Sequence, residues 1–314
     1  MYGETKEGTE ELFRFQKPMD HKSMLRCLDA LSGEYGFLSV YPMGTSLGGR
    51  MIPMVRLGDE KAARTVLYVG AHHGMEWMTT VLLLRFIREY CEAYRSGRRL
   101  YSINPHYLFS SRLICIVPML NPDGVELQIH GADGFPNRDA LIAMNRGSED
   151  FSAWQANGRG VDLNHNYDAG FADYKLLERE AGITGGAPTR YSGEYPESEP
   201  ESGALANYLR FDGGVKMILT LHTQGEEIYY TSGGVCPPRS KAIVRLLTQM
   251  SGYAAAQPQG MAAYGGLTDW AIRSLSIPSF TVECGRGSNP LPLNANFGIY
   301  MALREMLFTA PFLI

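Results

Sequence analysis

The chain has 314 residues, 45% of them hydrophobic and 20% charged, with a net charge of −4. An aromatic content of 11% beside so small a charge excludes a disordered coil, and the lack of a basic excess speaks against nucleic acid as a partner. No run approaches the ~18 apolar residues of a membrane span, so no membrane partner is expected.

In chain order, residues 1–12 are polar, lack the apolar centre of a secretory leader and read as a flexible lead-in to a single domain spanning 1–314. The run Thr65–Gly70 (TVLYVG) predicts a strand. Behind it, 77–94 places Trp77, Val81, Leu84 and Ile87 at helical spacing, with Arg85, Arg88 and Glu89 on other faces. Leu113–Leu120 (LICIVPML), Val215–Leu221 (VKMILTL) and Ser279–Val282 (SFTV) predict further strands, buried on both faces because the apolar run is unbroken. Helices are expected over Glu199–Leu209 and Ser240–Met250. Strands alternating with helices predict an α/β fold on a mostly parallel or mixed sheet. The stretch 123–198 is rich in Gly, Asn, Asp and Pro and has little periodicity; it reads as a long rim of loops, which in a compact domain is usually functional. Five widely spaced cysteines, Cys27, Cys91, Cys115, Cys236 and Cys284, form no CxxC pair. They read as reduced, mostly buried thiols of a cytoplasmic protein, a secreted form with its leader trimmed being the alternative.

Chemistry-bearing residues gather at the predicted strand ends. The first strand runs into Ala71-His72-His73-Gly74-Met75-Glu76, where His73 and Glu76 can reach one point. Imidazole and carboxylate are both zinc ligands, although a turn histidine beside a helix N-terminal Glu explains the same pair. His222 ends the strand Val215–Leu221. Two His and one Glu with a position left for water make a catalytic zinc arrangement; alone, His222 reads as a polar strand-end residue. Glu283 ends Ser279–Val282, where an acid is costly to bury unless paired or functional, and a salt bridge to Arg286 or another Arg is the alternative.

The ordered pieces His73-Gly74-Met75-Glu76-Trp77, Asn121-Pro122-Asp123-Gly124, Gly160-Val161-Asp162-Leu163-Asn164, Leu221-His222 and Phe280-Thr281-Val282-Glu283 resemble the carboxypeptidase A-like zinc metallopeptidase family over nearly the whole chain. Within it, Trp154-Gln155-Ala156-Asn157, the loop His222–Tyr230, Gly260–Gly266 and Gly285–Pro292 look like the bacterial γ-D-glutamyl-diamino-acid peptidases that cut murein peptides. The resemblance implies a single α/β domain built on a twisted mixed sheet of about eight strands flanked by helices. It implies one zinc per chain held by His73, Glu76 and His222, with Glu283 as general base. Asp162 would accept a ligand histidine's N–H, and Asn164 would bind substrate. The partner would be a small peptide, a murein peptide above all; the sequence sets no oligomeric state.

The chain departs from the digestive carboxypeptidases at several positions. The Arg that follows the Asn and grips a terminal carboxylate is His165 here, and His cannot reproduce a bidentate fork. The mobile substrate-capping Tyr aligns with Met261, with Tyr264 three residues on. The position that sets side-chain preference is Thr268. The oxyanion Arg aligns with Gln155, leaving Arg146 and Arg159 as substitutes, and Arg159 and Arg286 are the cations expected to meet murein carboxylates. The alternatives are a carboxypeptidase or amidase acting on other peptides or acyl-amino acids, and a catalytically dead binding protein on the same fold, against which the intact His73, Glu76, His222 and Glu283 speak.

Overall fold

The computed structural model describes residues 10–62, 64–212 and 214–314. Residues 1–9 of the expected flexible lead-in lie outside the described residues; 10–12 are helical and Leu12 packs against the core. The described strands are β1 (Ser39–Thr45), β2 (Met51–Gly58), β3 (Thr65–Val69), β4 (Leu113–Val117), β5 (Val215–His222), β6 (Glu227–Tyr229), β7 (Ala254–Ala256) and β8 (Ser279–Glu283). They form one sheet in the order β1-β2-β4-β3-β5-β8-β6-β7. The four predicted strands are its centre, β4-β3-β5-β8, and all their pairings are parallel. The outer pairs β1–β2, β2–β4 and β6–β8 are antiparallel.

The unbroken apolar runs have a direct cause. In β3, Val66 and Tyr68 enter one core cluster while Leu67 and Val69 enter the other, so neither face can be polar. Helices His21–Glu34, Met78–Ser96, Ser240–Ser251 and Asn296–Thr309 supply the first cluster; Pro200–Asn207 and Leu267–Leu275 supply the second. Met78–Ser96 stops at Gly97, whose left-handed φ of 68° lets its N–H reach the last carbonyls. The helix expected from Glu199 is α-helical over Pro200–Asn207 and continues as a π turn through Tyr208–Asp212.

The stretch 123–198 is more ordered than its composition suggests, with helices at Pro122–His130, Arg138–Met144 and Phe171–Glu180. Its punctuating residues start helices. Asn121 caps Pro122–His130 by accepting from the N–H of Gly124, with Pro122 in the first turn. Among the described residues no helix is long and apolar enough to cross a membrane. Cys27, Cys91, Cys115 and Cys284 are buried and Cys236 is partly exposed.

Candidate active site

The parallel strands β3, β5 and β8 end on the same side, which is where such sheets hold ligands. After β3 the chain turns at Ala71, with φ 48°, and His73 then caps a short 3-10 turn, Gly74–Glu76. That turn seats tightly. A Cβ on Gly74 would lie 2.3 Å from the carbonyl oxygen of Gly124, and one on Gly124 would lie 2.3 Å from that of Ala156. The Gly74 N–H donates to Gln155 O at 2.9 Å, and Asn121 Nδ2 donates to His72 O at 2.9 Å. Asp123 faces the other way and accepts from Ser46 Oγ, Gly48 N and Arg50 Nη1 at 2.6–2.8 Å. The Asn-Pro-Asp-Gly segment is thus the seat of the His73–Glu76 turn.

His73, Glu76 and His222 each offer a ligand atom, all within 4.8 Å of one another. His73 Nδ1 lies 2.9 Å from Glu76 Oε1, and His222 Nδ1 lies 3.1 Å from Glu76 Oε2. Two imidazoles and a buried carboxylate converging at this spacing fit zinc. His73 Nε2 donates to Asp162 Oδ1 at 3.1 Å, which leaves Nδ1 for a metal. Burial opposes both charges of the His73–Glu76 pair. The Glu76 and Asp162 charges nevertheless hold His73 well above its ordinary value, and His73 and His222 draw Glu76 down to about 2. Asp162 is held far below the carboxylate range despite its burial, by the charges of His73 and His165 and by the N–H of Arg190.

Glu283 ends β8 as the register partner of His222. Burial, then the nearby Glu76 charge, push its carboxyl up to about 8. A dication on the three ligands would draw it down. His72 is a participant the sequence did not reveal. An extended segment would point it away, but the left-handed Ala71 breaks the alternation. The His72 ring is fully buried, stacks on His222 at 5.1 Å between centroids and lies 3.5 Å from Tyr167 Oη. Burial, His222 and His73 lower its pKa, so it backs the site as a neutral ring.

Around this centre, Asn164 donates from its N–H to Asp162 Oδ1 and accepts from Leu267 N. His165 Nδ1 lies 2.8 Å from Tyr264 O, and its ring stacks on Tyr174 at 4.3 Å. Thr268 Oγ1 is 2.8 Å from Thr281 Oγ1, which accepts from Thr220 Oγ1, a row of hydroxyls across β5 and β8. Gln155 hydrogen-bonds Thr189 through its side chain. The three expected arginines are placed differently. Arg159 is forked onto the buried Glu199, with Nη2 2.8 Å from Oε1 and Nε 3.3 Å from Oε2. Arg286 is 76% exposed and pairs with Glu226 at 2.6 Å. Arg146 is exposed on a turn after Arg138–Met144, at φ 58°.

Residues 24–306 match the model of the zinc carboxypeptidases, peptidase M14. The chain is 33% identical to the gamma-D-glutamyl-L-diamino acid endopeptidase 1 of Lysinibacillus sphaericus over 93% of its own length and 72% of that protein's. Among solved structures it superposes on carboxypeptidase A from Helicoverpa armigera with a TM-score of 0.68 at 19% identity, over 95% of this chain and 74% of that one. It superposes on the murein-tripeptide amidase MpaA of Escherichia coli O157 with a TM-score of 0.53, also at 19% identity, over 86% and 91%.

Proposed function

The chain belongs to the zinc carboxypeptidase family and is a hydrolase; from that premise we propose that it cleaves the bond between γ-D-glutamate and a diamino acid in murein-derived peptides. The observation that carries the substrate is the likeness to the Lysinibacillus endopeptidase along almost the whole chain. The replacement of a carboxylate-gripping Arg by His165 supports it, because a single imidazole holds a simple C-terminal carboxylate poorly.

In this reading one zinc is held by His73, Glu76 and His222. Bound there, zinc supplies Lewis acidity, polarising the scissile carbonyl and making water easier to deprotonate. Glu283 takes the proton of the attacking water on its carboxylate and hands it to the leaving amine. Asp162 holds the proton of His73 at Nε2 and so fixes the ring's tautomer. Asn164, Gln155, Tyr264 and Thr268 border the substrate, and, with Arg159 forked onto Glu199, Arg146 is the candidate for the oxyanion side. Five widely spaced cysteines, four of them buried, suit the cytoplasmic location we assign.

The test is a kcat/KM comparison on the zinc-loaded protein between L-Ala-γ-D-Glu-diaminopimelate and N-blocked dipeptides ending in Phe or Lys. Much faster cleavage of the murein peptide is expected. Equal or better rates on the blocked dipeptides overturn the substrate and favour a carboxypeptidase. Zinc binding with no cleavage of either favours a binding protein.

A further inference from the structure

Arg190 lies in the loop between Phe171–Glu180 and Pro200–Asn207 and is held at φ 66°. Glycine adopts that left-handed conformation freely, whereas a residue with a Cβ does so at a cost. Both of its backbone groups are pinned there. The N–H donates to Asp162 Oδ2 at 3.0 Å, and the carbonyl accepts from Tyr174 Oη at 2.8 Å. Thr189, just before it, bonds Gln155 and sits 3.5 Å from the same Asp162 oxygen. Arg190 is therefore rooted on the carboxylate that orients His73 and on the tyrosine whose ring stacks on His165.

The guanidinium itself is exposed, and among the described residues it makes no hydrogen bond or ion pair. It is near enough for its charge to act on His165. Burial chiefly lowers that imidazole against the pull of Asp162, and the Arg190 charge adds to the lowering. Arg159 and Arg286, by contrast, are each committed to a glutamate. The dication that this reading places on Glu76 offsets most of the charge of Glu76, Asp162 and Glu283 and is taken up with the scissile carbonyl, so a substrate carboxylate needs a separate cation at the rim. A planar fork with free donors matches a carboxylate bidentately.

We propose that Arg190 holds a substrate carboxylate flanking the scissile amide and so selects acidic peptides for this site. The inference rests on the peptidase reading above and names the residue that recognises the acid. A γ-D-glutamyl-diamino acid peptide offers two such groups: the α-carboxylate of D-Glu, left free by the γ-linkage, and the carboxylate of the diamino acid.

Two substitutions test it. Arg190→Gly removes the guanidinium and relieves the left-handed strain together, so lost activity does not reflect a weakened fold. Arg190→Lys keeps the charge without the fork. Both are compared with wild type on three forms of L-Ala-γ-D-Glu-diaminopimelate: the free acid, the D-Glu α-amide and the diamino-acid α-amide. Zinc content and thermal midpoint are measured alongside. On the free acid, Arg190→Gly should lose roughly ten- to a hundredfold in kcat/KM, mostly through KM, with Arg190→Lys in between and zinc content unchanged. On one of the two amides wild type should fall to the level of Arg190→Gly, and that amide identifies the carboxylate held. Full activity of Arg190→Gly on the free acid, or an equal loss on all three forms, overturns the proposal. If wild type cleaves none of the three, the murein substrate is wrong by itself. The comparison then moves to a peptide the protein does cleave, as free acid and as amide. A preference for the acid that vanishes in Arg190→Gly supports the proposal, and one that persists or was never present overturns it.

Discussion

Replacing Asp162 by Asn changes one atom type in a fully committed carboxylate. Oδ1 accepts from His73 Nε2 at 3.1 Å and Asn164 N at 3.2 Å; Oδ2 accepts from Arg190 N at 3.0 Å and lies 3.5 Å from Thr189 Oγ1. Every near group that cannot rotate is an N–H donor. An amide has only one oxygen, so in either orientation its NH2 meets a donor. Turned toward Arg190, it strands a buried N–H at a cost of roughly 1–3 kcal/mol. Turned toward His73, it requires a lone pair at Nε2 and moves the imidazole proton to Nδ1, the nitrogen that faces Glu76. Both arrangements lose the charge-assisted bond to His73. Zinc affinity should fall ~10- to 100-fold, the usual effect of removing such an orienting partner. Competition with a chromophoric chelator at neutral pH measures it, and urea unfolding of the metal-free protein should register the stranded donor. A zinc affinity within twofold of wild type would refute the assignment of Asp162 as the group that orients His73.

Glu283→Gln keeps the shape of the side chain but cannot take a proton, so kcat should drop ~10²- to 10⁴-fold with zinc content unchanged; a variant retaining most of its kcat would return Glu283 to a structural role. Glu201 is buried, with Asp123 and Glu199 nearby, and burial first and then those charges push its carboxyl from 4.5 to about 7. The folded state thus keeps a proton that the unfolded chain releases, and stability declines as pH rises from about 4.5 through 7, by about 3 kcal/mol. Glu201→Gln should be free of that decline, which urea unfolding at pH 5 and pH 8 will show; a wild-type-to-variant difference that does not change with pH would contradict it.

What could be read from the sequence follows from how each residue reaches the site. His73, Glu76, His222 and Glu283 sit at the ends of unbroken apolar runs, and those runs are the sheet's centre, so pattern and place coincide. The outer strands lack that signal. β1 carries Pro42 and Gly44 and is half-exposed, β7 is three alanines, and β6 has three residues. His72 carries no such signal, because alternation in an extended chain would turn it away from the site, and Ala71 leaves that conformation. Arg190 and Thr189 gave no signal at all. A loop that lies between two helices and has no period of its own brings them to Asp162 and Gln155. Arg159 and Arg286 looked available only because their partners, Glu199 and Glu226, are invisible as partners in a linear sequence.

The sheet order also ties the ligand set to folding. Glu76 and His222 lie 146 residues apart in sequence, and His73 and Asp162 lie 89 apart. In the unfolded chain only His73 and Glu76 remain neighbours, a weak bidentate pair. The third donor arrives only when β5 has docked beside β3. A metal captured by all three therefore acts as a ligand of the native state alone, and free zinc at a hundredfold excess over its dissociation constant would deepen the native well by about 2.7 kcal/mol. Chelation would then loosen the whole sheet as well as silence the chemistry, and the resistance of this chain to heat or proteases would track the zinc supply around it.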